Sequence, residues 1–341
     1  MRDRSKPVVG VTMGDPSGIG SEIIVSAYPR LVDDAHLIVI GDAGVLRAAL
    51  DVHGSDLDVV VIDSVADAEF DADAIPVLDL DNVDDLEYGV VKEAYGAASL
   101  AYVERAIELA IAGEIDAIAT APINKQATRL AGSDYAGHTG MLADYTDTEN
   151  YSMMLVEDDL RVTHVSTHVP LREACDLITE ENVLDTIRVT DRALREIGLD
   201  EPEIAVAGLN PHASDGGLLG DEEAAAIRPA VARAGDEGIN AFGPESPDTV
   251  YVQAAGGAYD AVVSMYHDQG HIPIKMLGFS SGDAVSGVNV TIGLPIVRTS
   301  VDHGTAFDIA GEGIASEASL IDAVALAADI ASRRAAADTE S

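Results

Sequence analysis

The chain has 341 residues, 60 of them Asp or Glu and 20 Lys or Arg, for a net charge of −40. Self-repulsion at that level is costly unless salt screens it. A phosphate backbone or an anionic membrane needs a basic face, so nucleic acid and acidic lipid are excluded as partners.

At roughly 100–200 residues per domain, the length predicts two domains. Hydrophobic residues make up 47% of the chain, with no Trp and 4 Phe, so Val, Ile, Leu and Ala must pack the cores. No apolar run reaches the ~18 residues of a membrane span. The opening MRDRSKPVVGVTMGDPSG lacks the longer apolar core of a secretory signal and reads as a first strand, so a cytoplasmic location is expected. The lysines are Lys6, Lys92, Lys125 and Lys275 alone, and the acidic residues are spread through every helical stretch. We read that acidity as solvation in a halophilic cytoplasm. Cys175 is the single cysteine, which excludes an intramolecular disulfide and a cysteine-rich metal site. It is expected to be a small buried apolar residue.

In chain order, the strand Pro7–Met13 precedes a helix over Ile19–Tyr28, and the strand His36–Ile40 precedes a helix over Ala43–Asp51. The strand Asp58–Ile62 follows, then a long Ala-rich helix, Tyr88–Ala112, stopped by Gly113. Next come the strands Ile115–Thr120, Tyr151–Val156 and Arg161–Thr167 and the helix Glu181–Ile197. The strand Glu203–Ala207 leads to a helix over Asp221–Arg233. The strands Ala261–Tyr266 and Val288–Leu294 and a helix over Ser316–Arg334 complete the series, and the tail Ala335–Ser341 reads as disordered. The strands are short, Val/Ile-rich and nearly continuous in apolar character, which predicts burial on both faces by crossover helices. Their alternation with helices predicts an α/β architecture. There is no repeat and no low-complexity linker, so the chain is expected to cross between its domains more than once.

The turn Gly14-Asp15-Pro16-Ser17-Gly18-Ile19-Gly20 follows a strand and opens a helix, where glycines permit a tight turn and a helix N-terminus favours anions. It is not GxGxxG, so the Rossmann fingerprint is absent. His168, His212 and His267 each stand just past a predicted strand. Ligands of open α/β sheets gather at the carboxyl ends of strands, and three imidazoles delivered there suit a zinc-type site with an open position. His164 lies four residues before His168 in the same predicted strand, and His36 and His53 read as surface residues. Lys125 and Lys275 survive in glycine- and proline-punctuated apolar segments of a chain with few lysines. Arg298 is placed in a loop after a strand, where its fork can hold a carboxylate or phosphate. With His138, Thr139, Lys275 and Asn289 it would form an anion pocket.

These segments together resemble the 4-hydroxythreonine-4-phosphate dehydrogenase family. The matching pieces are TMGDPSGIGSEI from Thr12, TAPINK from Thr120, GHT from Gly137, HVPL from His168 and GLNPHA from Gly208. The pattern GP–PDT across Gly243–Thr249, MYHDQG from Met265 running on to Lys275, and GVNVTIGLPIVRTSVDHGTA from Gly287 complete the ordered set. The resemblance implies a two-domain fold like that of isocitrate and isopropylmalate dehydrogenases, with the active site in the interdomain cleft of a homodimer and both subunits contributing. It divides the chain into a first α/β domain, 1–130 plus 312–341, and a second, 131–311, carrying the metal site and dimer interface. It implies a divalent metal (Zn, or Mg, Mn or Co) on His168, His212 and His267. Substrate contacts fall on His138, Thr139, Lys275, Asn289 and Arg298, and NAD is the oxidant. Asp268 and Lys125 are candidates for the general base. The family's GHTE reads GHTG here, so Gly140 removes a carboxylate, and the stretch from Lys275 to Asn289, with SSGDAVS inside, is a few residues longer.

The implied reaction is oxidation and then decarboxylation of 4-phosphooxy-L-threonine, as in pyridoxal phosphate biosynthesis. The alternative substrates are 4-phospho-D-threonate and 4-phospho-D-erythronate from sugar-acid catabolism; other relatives act on an aromatic dihydrodiol. Competing classes are a phosphate acyltransferase of related fold, a metal hydrolase using the same histidines, and a non-catalytic binding protein.

Overall fold

The computed structural model describes residues 6–135, 138–280 and 287–340. In chain order its elements are β1 (Val8–Thr12), α1 (Gly20–Leu31), β2 (His36–Gly41), α2 (Ala43–His53), β3 (Asp58–Ile62), β4 (Ala74–Asp79), α3 (Glu93–Ile111) and β5 (Ala117–Thr120). They continue as α4 (Lys125–Leu130), α5 (His138–Tyr145), β6 (Ser152–Glu157), β7 (Leu160–His164), α6 (Leu171–Asp176), α7 (Glu180–Glu196) and β8 (Glu203–Ala207). The remainder are α8 (Arg228–Asp236), β9 (Asn240–Glu245), α9 (Val250–Ala255), β10 (Ala261–Ser264), α10 (His267–Ser280), β11 (Val288–Ile292), β12 (Val297–Val301) and α11 (Ala318–Glu340).

The chain divides into two compact units, one of Met1–Asp147, Ala284–Val288 and Leu294–Ser341, the other of Thr148–Asp283 and Asn289–Gly293. The first exchange lies at 147/148, where 130/131 was expected, because α5 stays with the first unit.

The first unit holds the strand order β3-β4-β2-β1-β5-β12, with every pairing parallel. Parallel neighbours need a crossover; helices α1, α2 and α3 lie in them, and together with the C-terminal α11 they present Ile23, Leu46, Ile107 and Val324, all fully buried. Tyr102 of α3 is buried to 0% exposure, which its hydroxyl tolerates by donating to Asn82 at 2.8 Å. The sharp exit from β1 depends on Gly14, which has φ +75° and where a Cβ would meet the Pro122 carbonyl oxygen at 2.3 Å.

The second unit holds the order β11-β6-β7-β10-β8-β9, with β6 and β7 antiparallel and β7, β10, β8 and β9 successively parallel. Its core gathers Leu155, Val162, Ala205, Val262, Tyr251 and Ile274 from strands and from α9 and α10.

Several expectations are corrected. The strands β4, β9 and β12 were not read from the sequence: Pro76 interrupts β4, Gly243-Pro244 interrupts β9, and β12 is half polar. β7 stops at His164 and does not run to Thr167. β3 is an exposed sheet edge with Val60 and Val61 nearly half exposed, so burial on both faces fails there. The tail continues α11 as helix to Glu340. Cys175 is exposed on α6, its thiol donating to the Leu171 carbonyl. His36 is half-buried and stacks on Phe70 at 4.1 Å, and His53 is half-buried too. No helix among the described residues is long and apolar enough to cross a membrane.

Candidate active site

In the first unit the loops after β1, β5 and β12 converge on the Asp15–Gly20 turn. The Asp15 amide donates to the Pro122 carbonyl and the Ile19 amide to that of Thr305. The Ser17 hydroxyl donates to the Glu87 carbonyl and accepts from the Val90 amide at 2.8 Å. Asp15 is 1% exposed; one carboxyl oxygen accepts from the Ser17 amide, and the other has no partner among the described residues. Burial lifts its pKa to about 6, against the lowering effect of the Ser17 amide.

Lys125 is exposed at the first turn of α4, behind the Asn124 cap, which accepts from the Gln126 and Ala127 amides. His138 opens α5 and Thr139 follows it, half-buried. Arg298 differs most from expectation. It lies inside β12, 2% exposed, and donates to the Thr120 hydroxyl of β5 at 2.7 Å. Burial pulls its guanidinium down to about 9, which leaves it charged at neutral pH. Of the implied anion-binding set, His138, Thr139 and Arg298 belong to the first unit, and Lys275 and Asn289 to the second. The SSGDAVS stretch lies outside the described residues apart from its first serine.

In the second unit, β7, β10 and β8 are adjacent parallel strands; His168 and His212 lie past the ends of β7 and β8, and His267 opens α10 just after β10. His168 and His267 come together with ring centroids 5.7 Å apart, lining a cavity of about 280 Å³ with Thr167, Tyr266, Leu171 and Asp268. Asp268 contacts His267 Nδ1 at 2.7 Å, which leaves Nε2 as the nitrogen for a further partner. His271, one turn along α10, stacks on His267 with centroids 3.6 Å apart and planes 12° apart. Its Nδ1 lies 3.0 Å from the His267 carbonyl and 3.2 Å from His164 Nε2. A carbonyl only accepts, so we assign the proton to His271 Nδ1 and acceptance to His164. His164 is 3% exposed, and its pKa is driven down to about 3, first by burial and then by His271 and His267, so it stays neutral. His164 and His168 do not share a strand face, since β7 ends at His164. Lys275 follows His267 and His271 at intervals of four on α10, so the three share one helix face. The Asn289 amide donates to the Met153 sulfur at 2.8 Å.

His212 stands in a different setting. Its Nδ1 faces Asp248 at 3.5 Å, and its side chain is two-thirds exposed. The residues His212, Ala213, Ser214 and Asp215 have φ of 54°, 51°, 67° and 46°, a left-handed turn of non-glycine residues. Each such residue costs roughly 1–2 kcal/mol, so the surroundings must hold the turn. Glu223 and Gln269, which the sequence reading passed over, do so. The Glu223 carboxylate accepts from the Asn210 amide, the Asn210 side chain and the Ser214 hydroxyl. Gln269 accepts from the Met265 amide at 2.6 Å and donates to the Gly208 carbonyl at 2.7 Å.

The donor chemistry suits a divalent cation, since His267 and His212 each present Nδ1 to a carboxylate. The assembly is partial. Among the described residues no three His, Cys, Asp or Glu side chains form a group able to hold an ion, and the structure brings together His168 and His267 while His212 stands beside Asp248.

The sequence profile of the family described as "Pyridoxal phosphate biosynthetic protein PdxA" matches residues 33–327. A D-threonate 4-phosphate dehydrogenase of Salmonella typhimurium is 46% identical over 328 residues, covering 95% of this chain and 98% of that protein. A 4-hydroxythreonine-4-phosphate dehydrogenase of Desulforapulum autotrophicum is 45% identical over 329 residues, covering 95% of each. Among solved structures, a 4-hydroxythreonine-4-phosphate dehydrogenase from Klebsiella pneumoniae superposes with a TM-score of 0.85 at 44% identity, over 95% of this chain and 99% of that one. With the profile spanning most of the chain and relatives of this identity covering nearly all of it, the chain belongs to the PdxA family.

Proposed function

We propose that this protein is an NAD- and metal-dependent dehydrogenase that oxidises the 3-hydroxyl of a small phosphorylated hydroxy acid, whose keto product then loses CO₂. The lead substrate is 4-phosphooxy-L-threonine. The observation that carries the reading is the ordered motif set, with His168, His267 and His212 following three adjacent parallel strands. Relatives named as dehydrogenases of two such phosphorylated acids match the chain along nearly its whole length.

His168, His212 and His267 would hold the cation, in an active site to which both subunits of a homodimer contribute. When bound, the cation supplies Lewis acidity at the substrate hydroxyl and later at the enolate oxygen, and the nicotinamide is the electron acceptor. Asp268 and Asp248 orient their imidazoles. Lys275, Asn289, Arg298, His138 and Thr139 bind the phosphate and carboxylate and fix the substrate's orientation. Asp268 or Lys125 takes up the hydroxyl proton.

A second reading, oxidation of 4-phospho-D-threonate or 4-phospho-D-erythronate, is favoured by Gly140. The family's glutamate is missing there, and a carboxylate is the natural partner for the 2-ammonium group that these two acids lack.

The test is NADH formation in high salt with Zn²⁺, Mg²⁺, Mn²⁺ or Co²⁺, comparing the three phosphorylated acids. Chelation and His212→Ala should abolish turnover, and Arg298→Ala should chiefly raise KM. Acetyl-CoA consumption that survives chelation would instead identify an acyltransferase, and turnover without NAD a hydrolase.

A further inference from the structure

We propose that Glu223 is the positioning residue of His212: its carboxylate clamps the left-handed turn that aims the imidazole. The inference rests on the reading of His212 as a working group of the active site.

The left-handed turn cannot hold itself. Its backbone bonds run to the Ser214 carbonyl, which accepts from the Gly217, Leu218 and Leu219 amides, and from Ala213 to the Asn210 carbonyl. Ser214 is thus the hub of the loop, and it is buried while His212 beside it is exposed. Among the described residues, the carboxylate on that hub is Glu223, 1% exposed and reached through the Ser214 hydroxyl. The same carboxylate takes the Asn210 amide at 2.7 Å and the Asn210 side chain at 2.9 Å, so it grips the loop on both sides of His212. Glu222 takes the other reach of the Asn210 side chain at 2.7 Å.

The helix that carries Glu223 is itself distorted to deliver it. Residues Glu223–Ile227 form a π-helical turn before α8, a local widening frequent at functional sites. The space is filled on every side. A Cβ at Gly208 would meet Ala213 Cα at 2.9 Å and the Glu223 carboxylate at 3.2 Å. One at Gly220 would meet the Asn210 side chain at 2.5 Å and the Glu222 carboxylate at 2.7 Å. Burial alone would raise the Glu223 carboxyl, but the Asn210 and Ser214 hydrogen bonds outweigh it and hold the group below its usual range, so it is ionised. Among the described residues the partners of Glu223 are Asn210 and Ser214, not His212, so it acts through the loop that flanks the imidazole.

The test uses the full-length protein. Glu223→Gln keeps the volume but replaces an accepting oxygen by a donating amide facing two other donors. Ser214→Ala removes the hub hydroxyl and serves if the first variant folds poorly. Amide exchange over residues 210–219 should accelerate at least about tenfold in both variants. Turnover should fall roughly 10–100-fold, mostly in kcat, with KM little changed. Glu223→Asp, which restores the charge, should recover part of the loss. Wild-type exchange in both variants overturns the proposal. So does faster exchange with unchanged kcat, because the turn would then hold nothing that matters to turnover. Failure of the underlying functional reading shows separately, as near-normal turnover in His212→Ala.

Discussion

The side-chain amide of Gln269 donates to the Gly208 carbonyl at 2.7 Å, while its oxygen accepts from the Met265 amide. One residue thereby ties the loop that begins at β8 and carries His212 to the turn that carries His267. The tie is built from buried backbone groups that have no water to fall back on. Gln269→Met keeps the length and removes both hydrogen bonds, which should cost on the order of 2 kcal/mol of stability. If both histidines serve one substrate, kcat should fall by more than that stability loss explains at saturating substrate. Thermal unfolding and steady-state kinetics on the same preparation check both effects. Full activity in a destabilised variant would separate the two loops functionally.

The net charge of −40 sets a second expectation. Repulsion among exposed carboxylates acts over a Debye length of ~10 Å at 0.1 M salt and ~3 Å at 1 M. Salt also weakens ion pairs such as Arg188 with Asp185 and Glu237, but these side chains stay about a third open to solvent and each pair is worth little. Repulsion therefore wins. Raising KCl from 0.1 to 2 M should lift Tm by roughly 5–10 °C, as a gain of a few kcal/mol does for a chain of this size. A Tm that falls with salt would mean that the ion pairs dominate.

Fold and site were legible to different depths. The apolar strand Glu203–Ala207 matches the structure residue for residue, because a parallel sheet covered on both faces selects for a continuous apolar run; Asp58–Ile62 matches as well, its β-branched residues suiting a strand even at an exposed edge. Pro76 and Gly243-Pro244 hid two strands, since proline argues against a ladder position. Polar Arg298 and Thr299 hid a third, and so Arg298 was read as a loop residue. The placement of His168, His212 and His267 past parallel strands followed from the apolar runs preceding them. Glu223 and Gln269 were out of reach. Their roles depend on a left-handed turn and on a carbonyl 61 residues away, neither of which leaves a periodic trace.

Gly140 yields a prediction about substrate choice. It lies in α5 outside the left-handed region, and among the described residues an added Cβ would meet the Tyr135 ring, at 3.6 Å. Gly140→Glu is therefore sterically acceptable and relieves a helical glycine of about 1 kcal/mol. If the position faces the substrate, the new carboxylate gives a 2-ammonium group a charge-assisted hydrogen bond worth ~1.5–3 kcal/mol. The ratio of kcat/KM for 4-phosphooxy-L-threonine over 4-phospho-D-threonate should then rise at least about tenfold. An unchanged ratio, measured with both substrates on both proteins, would remove position 140 from substrate selection.

Asp15 sets a pH dependence opposite to that of a salt-bridged carboxyl. Unfolded, it ionises near ~3.9; folded, burial lifts it to about 6, so between those values the folded chain binds more protons. Its contribution to stability is complete below pH ~4 and is lost as pH rises through 6, an effect of about 3 kcal/mol for a shift of this size. The other carboxylates titrate over the same range, so the measurement must be a difference. Asp15→Asn keeps an oxygen to accept from the Ser17 amide and carries no charge to bury. Denaturant unfolding of variant and parent should show the variant gaining on the parent by about 3 kcal/mol between pH 4 and pH 8. A difference that does not change with pH would mean that Asp15 ionises in the folded chain as it does in the unfolded one, with its second oxygen reached by water.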